Sequence, residues 1–189
     1  MSRLSNEDRL TLLELARRVI VSVVAEKRFP DIPRTTGALG VPGGAFVTLH
    51  RSGQLRGCVG QMEYPGPLMD TVARAAINAA LHDTRFAPVV AEELRSLEIE
   101  ISVLSPLETV APEAIVAGCH GLVVVRGEFR GVLLPQVATE RGWSAQRFLE
   151  ETCAKAGLPP DAWKFPPTQI FAFTADVFSE ASLRTVPQL

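Results

Sequence analysis

The sequence has few cysteines and no long apolar run. Its 189 residues include three cysteines, Cys58, Cys119 and Cys153, and their wide spacing does not form a disulfide framework, which is typical of proteins from a reducing cytoplasm. No apolar stretch approaches the ~20 residues needed to span a bilayer. The polar, acidic first residues also lack the pattern of a signal peptide. These absences together predict a cytoplasmic protein with no membrane partner.

Clustered basic charge is also lacking. The 19 lysines and arginines are outnumbered by 21 aspartates and glutamates, for a net charge of −2, and they are scattered among the acidic residues. Nucleic-acid binding requires grouped cations that meet phosphates, so the sequence argues against a nucleic-acid partner. Residues 37–44 match neither a P-loop nor a dinucleotide fingerprint, and no metal-ligand spacing occurs. The sequence predicts neither a cofactor nor a metal.

The apolar residues that are present predict an α+β fold. In the first half of the chain, helical spacing alternates with the period of two that is typical of strands. Turn residues Ser52 and Gly53 indicate an antiparallel hairpin. The predicted elements are a long helix capped by Ser5 and Asp8, the hairpin strands 45–50 and 55–61, a helix after Pro67 and a strand at 97–104.

Beyond a proline-rich connector, the same pattern starts again. It predicts a second hairpin with strands 121–126 and 129–134, and a helix capped by Ser144. An aromatic-rich strand at 169–176 is predicted to return to the first sheet. The sequence therefore predicts two subdomains, each with an antiparallel sheet flanked by helices, within one domain: a large subdomain of residues 1–109 and 167–189, and a smaller inserted one of residues 110–166.

The most informative segment is residues 55–60, Leu-Arg-Gly-Cys-Val-Gly, here called the 55–60 motif. Glycine weakens a strand and often marks a point where another group approaches the backbone closely. Alternation places Arg56, Cys58 and Gly60 on one face, so the guanidinium is expected beside an uncovered sulfur. A neighbouring cation favours thiolate over thiol. The motif therefore predicts a reactive thiol at Cys58, assisted by Arg56.

The 55–60 motif resembles the Leu-Arg-Gly-Cys-Ile-Gly signature of the AMMECR domain family, with Val59 in place of isoleucine. The resemblance continues in residues 82–89, where Thr84 stands in place of the proline in the family's Asp-Pro-Arg-Phe. Further similar segments are residues 100–106, 133–138 and 153–158. The resemblance implies a large subdomain formed from both termini, a smaller inserted subdomain and a cleft between them.

In bacteria and archaea, members of this family are called protein A of the AmmeMemoRadiSam system. The resemblance therefore implies a Memo-like protein and a radical SAM protein as partners. It does not assign an activity, because none is established for the family.

The base that a nucleophilic cysteine needs stays open in the sequence. His50 points away from Cys58 if the hairpin has a two-residue loop, and a one-residue slip of register reverses this. His82 leads into the loop after the second helix, where solvent exposure or a contact with the helix C-terminus is expected. His120 reaches the cleft only if the two subdomains close, which makes it the weakest catalytic candidate.

Further binding candidates lie in and near the motif. In the 82–89 loop, Asp83 and Arg85 either pair structurally across a turn or contribute to the site. Glu98 and Glu100 lie two apart on a strand, so their carboxylates are expected ~6–7 Å apart; a solvated sheet face is the simpler interpretation, and Glu100 is kept as a candidate. The remaining binding candidates are Leu55, Gly57, Val59 and Gly60.

Two functions from different classes fit these residues. The first is an enzyme or enzyme component that uses Cys58 and Arg56 to bind or modify a small-molecule or protein substrate in the cleft. The second is a non-catalytic module whose 55–60 motif is a rigid docking surface for a partner protein. The first explains the unusual chemistry of the strand and is favoured, whereas the second explains the lack of an evident base.

Overall fold

The structure is a computed structural model that describes residues 4–184. This part of the chain divides into two compact units, residues 4–104 with 176–184 and residues 105–175. Each unit has one four-stranded sheet, and the fold is α+β, as the sequence predicts. Residues 1–3 and 185–189, which the predicted large subdomain includes, lie outside the described residues. The predicted subdomain boundaries and cleft stay predictions.

The elements are named in chain order along the described residues. The α-helices are α1 (Asn6–Val21), α2 (Leu68–Leu81), α3 (Pro135–Arg141), α4 (Ala145–Lys155) and α5 (Glu180–Arg184). The strands are β1 (Ala45–Arg51), β2 (Gln54–Gln61), β3 (Leu97–Leu104), β4 (Glu108–Thr109), β5 (Gly121–Arg126), β6 (Phe129–Leu133), β7 (Gln169–Phe173) and β8 (Ala175–Ser179).

Helix α1 begins at the capping box that the sequence predicts. The Ser5 hydroxyl accepts a hydrogen bond from the backbone N–H of Asp8 at 3.1 Å, and the Asp8 carboxylate accepts one from the backbone N–H of Ser5 at 2.9 Å. These bonds satisfy two groups that a helix start otherwise leaves without partners. A short π-helical segment, Ser22–Glu26, continues the helix. The long first helix is thus confirmed.

The sheet of the first unit has the strand order β2-β1-β3-β8. Alternate residues of β1 and β3 are fully buried against α1 and α2, among them Val47, Leu49, Ile99 and Ile101. Burial of each such side chain stabilises the fold by roughly 1.5–3 kcal/mol. The buried face of α2 consists largely of alanines, which lets this helix approach the sheet closely. Because β2 is at one edge of the sheet, the 55–60 motif lies on an edge strand.

The sheet of the second unit has the order β4-β7-β5-β6. Helix α4 begins at the predicted cap, where the Ser144 hydroxyl accepts a hydrogen bond from the backbone N–H of Arg147 at 3.2 Å. Its buried face consists of the predicted residues Phe148, Leu149, Thr152 and Cys153. The restarted pattern of a hairpin followed by a capped helix is therefore confirmed.

The prediction that residues 169–176 form one strand of the first sheet is wrong. Residues 169–173 form β7, which pairs with β4 and β5 in the second sheet, and only the next strand, β8, joins the first sheet. The break is at Thr174, whose carbonyl accepts a hydrogen bond from the Ser105 N–H and whose own N–H donates to the Ser105 hydroxyl, both at 2.9 Å. Strands β7 and β8 follow each other closely in the sequence. The alternation of apolar and polar side chains therefore runs through both, and it does not show the break between them.

Candidate functional site

A β-bulge in the hairpin decides which way the motif faces. His50 pairs with Leu55, but Leu49 pairs with Gly57, so Arg56 is an extra residue in β2 without a partner in β1. A bulge of this kind shifts the alternation of every later residue by one. It places Cys58 directly opposite Thr48, on the sheet face that also carries His50. This is the slip of register that the sequence left open.

Three residues form a row across the strands on this face. Thr48 is opposite Cys58 in β2 and opposite Glu100 in β3, and directly opposite residues share a face. The Thr48 hydroxyl donates a hydrogen bond to the Cys58 sulfur at 3.3 Å. All three side chains are half-buried. We call the sheet face that carries Thr48, His50, Cys58 and Glu100 the thiol face; it is the face opposite α1 and α2.

The glycines of the motif are required by close packing. A Cβ atom added to Gly57 would lie 2.2 Å from the carbonyl oxygen of Ala79 in α2. One added to Gly60 would lie 2.2 Å from the carbonyl oxygen of Ala45 in β1. Real Cβ contacts are never this short, so any side chain would push α2 or β1 away. The glycines allow the close approach that the sequence predicts, but the approaching groups belong to this chain.

The other apolar motif residues lie in different surroundings. Val59 is half-buried and packs against the first core. Leu55, before the bulge, keeps 41% of its surface exposed. Leu55 is thus the one member of the motif that presents a large apolar side chain to solvent.

The 82–89 loop fixes the backbone of Cys58. Asp83 Oδ2 accepts a hydrogen bond from the backbone N–H of Cys58 at 2.8 Å, and Arg85 Nη2 donates one to the Cys58 carbonyl at 3.1 Å. Arg85 also binds Asp83 through Nε at 3.0 Å and Nη2 at 2.8 Å. This pair, here called the Asp83–Arg85 clamp, uses both polar backbone groups of Cys58 on the outer side of the edge strand, as a neighbouring strand would.

The clamp also places an ion pair beside Cys58. The Arg85 guanidinium, together with the N–H groups of Cys58 and Arg85, holds the pKa of buried Asp83 far below its ordinary value, although burial acts in the opposite direction. Hydrogen bonding to Asp83 is the main cause that raises the pKa of Arg85, and the Cys58 thiol contributes in the same direction. The cation that contacts Cys58 is therefore Arg85, which binds the Cys58 carbonyl and whose side chain is 56% exposed.

Arg56 is engaged elsewhere. Its Nε and Nη2 each donate a 2.8 Å hydrogen bond to one carboxylate oxygen of Glu93, and Arg51 Nη1 donates a third at 2.8 Å. The backbone N–H of Val90 donates to the same carboxylate at 3.0 Å. These contacts, chiefly the one from Arg56, lower the pKa of buried Glu93 to about 2. Through Glu93, Arg56 thus connects the bulge in β2 to the segment before β3.

The three histidines lie in different places. His50 lies on the thiol face, two residues along β1 from Thr48. His82 is exposed directly after α2, and its backbone N–H donates to the Asn78 carbonyl at 2.8 Å. His120 belongs to the second unit, where its Nδ1 accepts a hydrogen bond from the Val116 N–H at 3.2 Å. Of these, the structure of the first unit brings His50 to the face of Cys58.

The other two cysteines differ sharply from Cys58. Cys119 is exposed, whereas Cys153 is fully buried on α4 and burial raises the pKa of its thiol. All three thiols are free. Within residues 4–184, no group of three or more His, Cys, Asp or Glu side chains is arranged to hold a metal ion. The same residues include no helix that is both long and apolar enough to cross a membrane.

Sequence reasoning missed two contributors to the site. Thr48 is found only when the bulge is known, because its pairing with Cys58 depends on the register. Glu93 lies three residues after Val90, which is the spacing of a capping carboxylate, and this signal identifies it as a helix-start residue. Nothing in the sequence pattern indicates that it binds Arg56.

The fold and site define an α+β protein with a thiol held on a clamped edge strand. The model of the AMMECR1 family matches residues 13–178, and the chain belongs to that family. It is 43% identical to a protein of Methanothermobacter thermautotrophicus over 94% of this chain and 96% of the relative. It is also 43% identical to Protein TK0174 of Thermococcus kodakarensis, over 95% and 94% of the two chains.

A solved structure is similar over nearly the whole chain. It is the crystal structure of the uncharacterised protein PH0010 from Pyrococcus horikoshii, which matches with a TM-score of 0.81 and 41% identity. The match covers 92% of each chain. The predicted family membership is confirmed, and these relatives carry no assigned activity.

Proposed function

We propose that this protein acts through Cys58, as a reactive thiol that binds or modifies a substrate at the thiol face. The observation that supports this most is the set of contacts around one residue. The sulfur accepts a hydrogen bond from Thr48, and both backbone groups of Cys58 are fixed by the Asp83–Arg85 clamp. A half-buried thiol held beside a guanidinium is the kind of environment in which reactive cysteines occur.

The thiol face also offers groups that could take the thiol proton. Glu100 is one proposed acceptor, because it lies in the same row as Cys58, with Thr48 between them. His50 is the alternative acceptor, since it lies on the same face next to this row. The thiolate would form a sulfur–carbon bond to an electrophilic carbon of the substrate, and the group displaced from that carbon would leave with the electron pair of the broken bond. Glu100 and His50 are therefore both proposed acceptors of the thiol proton. The variants Glu100→Gln and His50→Gln distinguish them.

Arg85 suggests the charge of the substrate. Its guanidinium is more than half exposed while it binds Asp83 and the Cys58 carbonyl. An anionic group of a substrate would accept a hydrogen bond from the exposed edge of this guanidinium, close to Cys58. We accordingly propose an acidic small molecule or an acidic site on a protein, and no nucleic acid, because the chain has a net charge of −2.

Alkylation by two reagents that differ in charge tests this proposal. Native protein is treated with iodoacetate or iodoacetamide, and each cysteine is followed by peptide mapping; in both reactions the thiolate forms a carbon–sulfur bond and iodide leaves. We expect Cys58 to favour the anionic reagent relative to exposed Cys119, which serves as the internal reference. Equal reagent preferences at the two cysteines contradict an anion-attracting thiol.

The second candidate function is a partner-binding module. It is favoured by the position of the motif on an edge strand and by Leu55, which exposes 41% of its surface beside the bulge. The proposed partners are the Memo-like and radical SAM proteins that the family resemblance implies, and three free cysteines suit a reducing cytoplasm as the shared compartment.

Purified partner proteins separate the two functions. If the module interpretation is right, Leu55→Asp abolishes binding to a partner while Cys58→Ser leaves both binding and the activity of the assembled system intact. If Cys58 is catalytic, Cys58→Ser retains partner binding and loses that activity. Circular dichroism and thermal unfolding confirm that each variant is folded.

A further inference from the structure

Two adjoining pockets lie beside α2, away from the thiol face. The first has a volume of about 300 Å³ and the second of about 280 Å³. Phe29, Arg74 and Ile77 line both pockets and form the boundary between them. Phe29 is 77% exposed. The two pockets are therefore neighbours that share an aromatic side chain, and together they are called the groove.

The first pocket has an available cation. The Arg74 guanidinium lies over the ring of Tyr64, 5.4 Å from its centroid, and within residues 4–184 it forms no ion pair with a carboxylate. This contact with the ring face holds the guanidinium at the pocket and leaves N–H groups for a ligand. The geometry is one that suits a planar or tetrahedral anion.

Three further polar side chains complete this first pocket. Gln61 and Asn78 carry amide groups, and His82 carries an imidazole, all around the same cavity. Each of these groups can donate a hydrogen bond to an anion's oxygen atoms. Among the residues that the structure describes, none of those lining this pocket carries a carboxylate. A cavity lined by hydrogen-bond donors and by no negatively charged side chain favours negatively charged ligands.

The second pocket has a different character. Apart from Arg74 at the boundary, its lining is apolar: Val19, Phe29, Pro30, Ile32, Ala73 and Ile77. A polar, cationic cavity joined to an apolar cavity of similar volume is suited to a ligand that has both kinds of surface.

We propose that this groove binds a small organic anion, with its carboxylate or phosphate on Arg74 and its apolar body against Phe29 and Ile77. The site does not rest on the reactivity of Cys58. The two sites are nevertheless joined through the chain, because Gln61 directly follows the 55–60 motif and His82 directly precedes the clamp residue Asp83.

Three fragment-sized probes test the proposal on the full chain. Phenyl phosphate and 3-phenylpropionate carry the two possible anionic groups, and 3-phenylpropionamide is the neutral counterpart of the second. We expect both anions to bind with dissociation constants of about 1 mM, as is typical of fragments of this size. The amide is expected to bind at least ~10-fold more weakly, since a bidentate charged contact is lost. Isothermal titration calorimetry measures the affinity of each probe. Shifts of the backbone amide NMR signals of Ile77 and His82 show whether the probe binds in the groove.

Variants then separate the groove from general charge effects. Arg74→Gln should weaken the binding of both anions at least ~10-fold, whereas Tyr64→Phe, which keeps the ring face, should change it less than about twofold. Arg18→Gln removes an exposed arginine of α1 as the matched control and should have no effect. The relative affinity of the two anions identifies whether the ligand is a phosphate ester or a carboxylic acid.

Several results would overturn the proposal. These are a lack of binding by both anions at 10-fold above the expected dissociation constant, equal binding of the amide and the carboxylate, or unchanged affinity in Arg74→Gln. Because Arg74 is exposed, the variant should unfold at the same temperature as the wild type, so that loss of binding is not loss of fold.

Discussion

Asp83 and Cys58 are joined by a 2.8 Å hydrogen bond from the backbone N–H of Cys58 to the Asp83 carboxylate. Asp83 is buried and bound to Arg85, whose guanidinium also reaches the Cys58 carbonyl. An edge strand normally leaves such backbone groups to water or to another chain. Here two side chains hold the strand at the position of its thiol, so the loop after α2 determines the geometry of Cys58.

The clamp should contribute to stability as well as to geometry. Asp83→Asn keeps the shape of the side chain but removes the charge that pairs with Arg85, and we expect it to lower the free energy of unfolding by about 1–3 kcal/mol. Urea unfolding monitored by circular dichroism measures this. Asp31→Asn, in an exposed loop, is the matched control and should change it by less than about 0.5 kcal/mol. Equal effects of the two substitutions would show that the clamp does not stabilise the fold.

Stability should fall in acid through Glu93. Its pKa is about 2 in the folded protein against an ordinary value of 4.5, so the unfolded chain binds the proton more readily. This carboxylate therefore stabilises the fold fully above about pH 4.5, and the contribution is lost as the pH falls towards 2. Unfolding free energies of wild type and Glu93→Gln should differ most near pH 6 and converge towards pH 2. A difference that stays constant over this range contradicts the assignment.

Gly57 should not tolerate a side chain. An added Cβ would lie 2.2 Å from the Ala79 carbonyl oxygen of α2, so Gly57→Ala must displace the helix or the strand, and overpacking of this kind costs about 1–3 kcal/mol. The thermal midpoint and the unfolding free energy are the measurements. The control is Gly53→Asn in the hairpin turn, where φ is +75° and the space around the missing Cβ is open. Asparagine tolerates this conformation, so a loss as large as that of Gly57→Ala would argue against close packing as the cause.

Much of the fold was predictable from local patterns. The period of two in residues 97–104 and the capping residues Ser5 and Ser144 identify elements whose bounds the structure confirms closely. These signals are local, since they depend on neighbouring residues of one segment. The sheet to which residues 169–173 belong was not predictable in this way, because strand pairing depends on contacts with residues distant in the sequence.

The site was predictable in its members but not in its contacts. The unusual composition of the 55–60 motif indicates Cys58, and the family resemblance indicates Asp83 and Arg85. The alternation rule, however, predicts Arg56 beside the sulfur, because it contains no signal for a one-residue bulge. The bulge makes Arg56 the extra residue, and its guanidinium binds Glu93 instead. The cation at the thiol comes from a loop that lies 27 residues further along the chain.

The rate of native alkylation at pH 7 measures directly whether Arg85 makes Cys58 a reactive thiol. Wild type, Arg85→Gln and Arg56→Gln are treated with iodoacetamide well below their unfolding temperatures, and each cysteine is followed by peptide mapping. Buried Cys153 should react only on unfolding.

Cys58 of the wild type should react without unfolding. Its rate should fall about 3- to 10-fold in Arg85→Gln, because the positive charge beside Cys58 is removed, and should change less than about twofold in Arg56→Gln. Reaction of Cys58 only at the rate of Cys153, or an unchanged rate in Arg85→Gln, would rule out a thiol activated by Arg85.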